Sequence, residues 1–247
     1  MTSPLLAVRN LTIRFGGITA LNDVSFDVAE GHITGLIGPN GAGKTTCFNC
    51  ITRLYQPNSG QVLFQGDDLL RCAPQQIAGK RIARTFQNVA LFDHMTTLEN
   101  VLVGGHARFP GGLAGRQFEA PATAEALEIL ERLGMAQTAA HPVRGLPFGT
   151  RKSVELARAL MAKPVLLLLD EPAAGLSHEE VAALGATIKR VAVEFDTTIL
   201  MVEHHMQLVM SVSDHIIVLA SGRTLADGTP ETIQQNPAVI EAYLGTV

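Results

Sequence analysis

The nine residues GPNGAGKTT, Gly38 to Thr46, constrain this chain more than any other stretch. They follow the short apolar run HITGLI and precede the helical pattern GKTTCFNCITRLY. A strand must therefore enter a tight turn and leave as a helix. The spacing is G-x-x-x-x-G-K-[ST]. Gly38, Gly41 and Gly43, with Pro39, Asn40 and Ala42 between them, let the backbone bend until successive N–H groups converge on phosphate oxygens. The positive end of the helix that follows, with Thr46 in its first turn, favours the same anion. Lys44 is placed for β- and γ-phosphates, and the Thr45 hydroxyl for Mg²⁺.

A second stretch supplies the complement. In VLLLLDEP an unbroken apolar run leads into Asp170 and Glu171, the pattern of a strand covered on both faces. Asp170 is suited to hold a divalent cation through water, and Glu171 to polarise an attacking water. An acidic turn after a strand is common in isolation; paired with a phosphate loop it becomes specific. Adenine is favoured over guanine, because the chain contains no N-K-x-D sequence. Phe15, just before Gly16 and Gly17, reads equally as a purine-stacking ring or as a core phenylalanine on a strand.

Composition sets the bounds. The 247 residues suffice for one large α/β domain. With 47% hydrophobic residues and net charge −4, the chain is neither disordered nor built to bind nucleic acid. Three cysteines in a chain this long point to a reducing compartment. No apolar run approaches the ~20 residues of a membrane-spanning helix, and MTSPLLAVRN lacks a secretory core.

Period-two alternation at Leu6, Val8, Leu11, Ile13 and Phe15, then Val24, Phe26 and Val28, predicts half-buried antiparallel strands. The helix after the phosphate loop is expected to run to Tyr55 and end at PNSG, with QVLF a further strand. From Asn88 to Pro164 the pattern turns helical. TTLENVLVGGHARF and PATAEALEILERLG flank the connector PGGLAGRQFEAP; Leu127, Leu130 and Leu133 share one face, and Gly134 terminates. Ser177 with Glu180 forms a capping-box pattern ahead of the stripe Val181, Leu184, Ile188 and Val191. TTILMVEHH and HIIVLASG are further strands. The expected fold is α/β: a P-loop NTPase core with a parallel sheet, an antiparallel β subdomain and an inserted helical subdomain. It forms one domain over 1–247, with its core at about 1–87 and 165–247 and its helical part at about 88–164.

Cys47 and Cys50 form C-x-x-C on one helix face without a second ligand pair, and read as structural. His94, His106, His141 and His178 read as surface residues. Arg81 and Arg84 read as a solvated face, or as a surface that meets a membrane partner.

The constellation resembles the nucleotide-binding subunit of an ABC transporter along essentially the whole chain. RTFQN resembles the family's Q-loop, which implies that Gln87 lies near Mg²⁺ and the lytic water and relays to the membrane domain. VEHH resembles the switch-histidine segment, with His204 at the γ-phosphate and His205 where many members have Asp. RTFQNVALFDHMTTLENV, DEPAAGLSHEE and GTPETIQQNPAVIEAYLG resemble the ATP-binding subunits of branched-chain amino-acid importers. Close relatives handle urea or amides; lipopolysaccharide export and a nucleotide-gated module with little hydrolysis are the alternatives.

LPFGT stands where the family has LSGGQ, a turn that opens a helix facing the γ-phosphate on the other subunit. Leu146 and Gly149 match, while Pro147, Phe148 and Thr150 depart. Losing the serine removes a hydroxyl donor worth about 1.5–3 kcal/mol to a charged oxygen. Arg151 and Lys152 oppose the helix dipole there, so they are expected to face the nucleotide. Ser177 occupies the D-loop position where many members have Asp. The resemblance implies ATP and Mg²⁺, a second ATP-binding subunit (identical or different), multi-span permease subunits and, indirectly, an extracytoplasmic solute-binding protein. It places the chain peripherally on the cytoplasmic face of the cell membrane.

Overall fold

In the computed structural model, which describes residues 3–109 and 120–244, the alternation at the start of the chain becomes a hairpin. Strands β1 (Leu6–Phe15) and β2 (Ile18–Val28) pair antiparallel, and Leu6, Val8, Leu11, Ile13, Val24, Phe26 and Val28 are buried. Strand β3 (Ile33–Ile37) leads through the glycine loop into α1 (Lys44–Ile51), followed by β4 (Ser59–Phe64) and β5 (Asp67–Asp68). The middle of the chain forms β6 (Ile82–Arg84), α2 (Thr97–Val103), α3 (Ala120–Arg132), α4 (Phe148–Leu160), β7 (Leu166–Asp170) and α5 (His178–Glu194). The last part adds β8 (Thr198–Val202), α6 (Met206–Val212), β9 (His215–Ala220), β10 (Arg223–Gly228), α7 (Pro230–Gln234) and α8 (Pro237–Leu244). Most of the connector PGGLAGRQFEAP lies outside the described residues.

These elements group into two compact units, Met1–Ile77 with Thr198–Val247, and Ala78–Thr197. The first holds an antiparallel sheet ordered β2-β1-β4-β5. It also holds β3 paired in parallel with β8 and β9, with β10 antiparallel on β9. The parallel arrangement thus carries an antiparallel edge, where RTLADG alternates between exposed and half-buried residues. Strands β3 and β8 are buried throughout, as expected of strands covered on both faces. Helix α1 is shorter than the sequence pattern suggests. It stops at Ile51, and Arg53 adopts a left-handed φ of 62° that no helix continues.

In the second unit β6 and β7 pair in parallel, with Arg84 opposite Leu168. On α3 the buried line is Ala122, Ala126, Ile129 and Leu130, and Leu127 points outward at 41% exposure. The leucine face expected from sequence is therefore rotated, because small alanines supply half of the packed line. Gly134 does end this helix: its φ is 72°, and the Met135 N–H closes back on the Leu130 carbonyl at 2.7 Å. Helix α5 carries its capping box, with Ser177 accepting from the Glu180 N–H and Glu180 accepting from the Ser177 N–H at 2.8 Å. Val181, Ile188 and Val191 are buried as expected, whereas Leu184 is half-buried and Gly185 takes a place in the stripe.

Candidate nucleotide site

The phosphate loop is held by three glycines for two different reasons. A Cβ on Gly38 would lie 2.1 Å from the Leu219 carbonyl oxygen, so β9 leaves room for nothing larger. A Cβ on Gly43 would meet Leu21 Cδ2 at 2.6 Å and the Ala20 carbonyl at 2.7 Å. Gly41 faces open space, but its φ of 80° is a conformation that costs an L-residue free energy. Lys44 is buried, and its ammonium donates to the Gly38 carbonyl at 2.7 Å and the Pro39 carbonyl at 3.1 Å. Those oxygens keep the charge inside the loop that phosphate oxygens would otherwise draw on. Thr45 is exposed in the first turn of α1, and Thr46 beside it is half-buried.

Other predicted residues of this unit sit as follows. Phe15 is no core residue: it is 44% exposed, with its ring edge-on to Tyr55 at 5.1 Å between centroids. His204 is exposed at the end of β8. Its backbone is fixed by a residue the sequence did not single out. The carboxylate of Glu203, fully buried, accepts from the N–H groups of His204 at 2.9 Å and His205 at 3.0 Å. On α8, burial pushes the Tyr243 hydroxyl up to about 12, partly opposed by a backbone hydrogen bond at Gly38. The thiols of Cys47 and Cys50 are buried and pushed up by that burial, Cys50 to about 11. Both pack as apolar side chains. His94, His106, His141 and His178 are exposed.

In the second unit the two acidic residues are both engaged. Arg84 is not solvated. Its guanidinium Nη2 lies 2.6 Å from Asp170 Oδ2, with the side chains 7% and 4% exposed. The sequence reading of Arg84 as a surface charge fails because its partner stands 86 positions away, on a strand it pairs beside. Arg81 does stay at the surface, with its Nε donating to the Lys163 carbonyl. Gln87 Nε2 donates to Glu171 Oε2 at 2.8 Å. Glu171 itself has a left-handed φ of 46°, a strained conformation of the kind that clusters at functional sites. The backbone N–H of Phe86 donates to Glu155, a buried carboxyl whose pKa is raised by burial against the pull of that bond.

LPFGT opens α4, with Pro147 at its cap and no side chain accepting from the first-turn N–H groups. Phe148 is accommodated because Gly175 faces it: a Cβ there would come within 2.9 Å of the ring. Gly149 lies where the helix abuts α5: a Cβ there would come within 2.7 Å of Glu180 Oε1, the end of a side chain that can give way. Leu146 and Thr150 are half-buried. Arg151 and Lys152 have partners within the unit rather than an open anion site. Arg151 pairs with Asp93 at 3.1 Å; Lys152 is buried, donates to the Glu171 carbonyl at 3.2 Å and sits over the Phe148 ring. Local carboxylates and carbonyls compensate these charges.

The chemistry of the loop suits the anion expected there. A loop that collides with any Cβ at two positions, and holds a buried ammonium on its own carbonyls, is a cradle for a polyanion. In the first unit the Thr45 hydroxyl, and in the second the Gln87 amide oxygen and the Asp170 carboxylate, are each a hard oxygen donor of the kind that Mg²⁺ takes.

Comparison with known proteins agrees. Residues 21–174 match the family described as ABC transporter, and residues 223–247 match that described as branched-chain amino acid ATP-binding cassette transporter. The high-affinity branched-chain amino acid transport ATP-binding protein BraF of Pseudomonas aeruginosa is 45% identical, covering 99% of both chains. The ADP conformation of MJ1267, an ATP-binding cassette of an ABC transporter, superimposes with a TM-score of 0.89 at 30% identity, over 99% of this chain and 100% of that one. The dimeric structure of MJ0796, a bacterial ABC transporter cassette, gives 0.79 at 25% identity, over 91% and 98%. The chain belongs to the ABC transporter family of ATPases, among its branched-chain amino acid ATP-binding cassettes.

Proposed function

We propose that this chain binds and hydrolyses ATP to drive import of branched-chain amino acids, as a peripheral subunit on the cytoplasmic face of the membrane. The supporting observation is the full-length similarity to a branched-chain amino acid transport protein, including the C-terminal segment, which no step of hydrolysis requires. Among the described residues no helix is long and apolar enough to cross a membrane. The solute path is assigned in this reading to permease subunits.

The residue roles follow from chemistry. Backbone N–H groups of Gly38–Thr46 and the Lys44 ammonium bind the phosphates, with the Phe15 ring offered to the adenine. Thr45, Gln87 and Asp170 would each offer an oxygen to Mg²⁺, which would supply positive charge for the phosphates. Glu171 accepts the proton of the attacking water, Gln87 orients that water, and His204 hydrogen-bonds the γ-phosphate. Leu146, Gly149 and Thr150 present the start of α4 to a nucleotide held by a second ATP-binding subunit. Gln87 relays the state of the site to the permease.

The test is reconstitution of the chain with its permease subunits and solute-binding protein in vesicles. ATPase activity is expected to rise when the binding protein carries leucine, isoleucine or valine. Stimulation by urea or amides alone would reassign the solute, and a complex silent to every solute would overturn the import reading.

A further inference from the structure

We propose that Arg84 is a positioning residue of the nucleotide site: an internal counter-cation that occupies the Asp170 carboxylate and that Mg²⁺ must displace. The inference rests on the reading of Asp170 as a magnesium-side carboxylate and adds a competitor for it. Arg84 ends β6 and Asp170 ends β7. The two strands run parallel with Arg84 opposite Leu168, and Asp170 shares a face with Leu168 two positions on. The guanidinium therefore has only to lean along the strand to reach Oδ2, where it sits at 2.6 Å.

Burial gives this contact its weight. An exposed pair of this kind would contribute little, whereas here both side chains are more than nine-tenths removed from water. Each ion offsets the other's lost hydration, and a carboxylate without its partner would gain strongly from any other cation. Arginine cannot release the carboxylate by losing a proton, so displacement by a competing cation or a movement of the strand end is required. The neighbouring groups hold Arg84 in place. The Phe86 ring lies under its guanidinium carbon at 5.1 Å, and the Phe86 N–H is tied to Glu155. Three residues on, Gln87 takes Glu171. One short segment, 84–87, thus engages both acidic residues at the end of β7.

The test is equilibrium binding of a fluorescent ATP analogue to the full chain, titrated with Mg²⁺ and compared with binding in EDTA. In Arg84→Gln the half-saturating Mg²⁺ concentration is expected to fall about five- to tenfold, since the carboxylate is no longer occupied. Arg84→Lys, which keeps a charge but loses the planar fork, is expected to fall by a smaller factor. It also serves as the folded alternative should Arg84→Gln melt. In an Asp170→Asn background Arg84→Gln is expected to leave the midpoint unmoved. An unchanged or higher midpoint in the folded Arg84 variants would overturn the competition. A wild-type chain that binds no analogue at any Mg²⁺ concentration would overturn the nucleotide reading itself, and the Arg84 inference with it.

Discussion

Two glycine-bearing turns open helices in this molecule, and they have kept their letters to very different degrees. Gly38–Thr46 retains every position of its pattern, while LPFGT retains two of the five that define its counterpart. The difference lies in which atoms do the holding. In the phosphate loop the constraint falls on the backbone: Gly38 and Gly43 have no room for a Cβ, and Gly41 takes a left-handed φ. In LPFGT no position is confined by backbone: Gly149 meets only the end of the Glu180 side chain, and the other positions are side-chain choices. Phe148 even occupies space that a glycine elsewhere, Gly175, leaves vacant. In the phosphate loop the main chain sets the limit; in LPFGT neighbouring side chains do.

Six substitutions test this contrast. Gly38→Ala is expected to do the greatest damage, lowering stability by on the order of 4 kcal/mol and abolishing ATP binding, because the new methyl collides with the backbone of β9. A denaturant titration that finds Gly38→Ala no worse than Gly41→Ala would break the comparison. Glu171→Gln comes next, with turnover reduced about a hundredfold or more while ATP still binds. Its amide keeps an acceptor for Gln87, so a near-native rate in a phosphate-release assay would remove Glu171 from its proposed role.

Gly149→Ala should cost on the order of 1 kcal/mol at most, since its Cβ meets only the end of the Glu180 side chain, whose shift weakens one half of the α5 cap. A Tm equal to wild type would show that turn to be as tolerant as its neighbours. Ser177→Ala removes the other half of the same cap, about 1 kcal/mol. This cap also titrates. The backbone N–H of Ser177 holds the Glu180 carboxyl below its usual range, with the Ser177 side chain adding to it. The folded value lies under the unfolded one, so this contribution is complete above about pH 4.3 and lost as pH falls through the folded value. Melting curves at neutral and acid pH should show the Glu180→Gln variant losing less on acidification than wild type. Smallest of all, Pro147→Ser restores a capping hydroxyl to α4 and is expected to add about 0.5–1 kcal/mol, read as a rise in Tm.

The same distinction explains what the sequence disclosed. The phosphate loop, the apolar strand ending in Asp170 and the Ser177 cap were legible because each is a local pattern with a local cause. The hairpin of β1 and β2 was legible from its alternation. Arg84 was not, since nothing near it in sequence announces a carboxylate on a neighbouring strand. Glu203 was hidden for a related reason: a lone glutamate before two histidines looks like solvent-facing charge, yet its carboxylate is buried on two backbone N–H groups. The buried line of α3 was misplaced because Ala122 and Ala126 carry little hydrophobic signal beside Leu127. Strand β10, with RTLADG, and the short helices α6 to α8 offered too little periodicity to read.

Cys47 and Cys50 lie on the inner side of α1, the helix that the phosphate loop starts, and burial keeps both in the neutral thiol form. Alkylating reagents attack thiolates, so these two sulfurs stay silent until that helix opens. Cys72, only partly covered, reacts without waiting and supplies an internal reference. The chain therefore carries its own chemical clock for breathing of the cradle, wound by any ligand that holds the cradle shut.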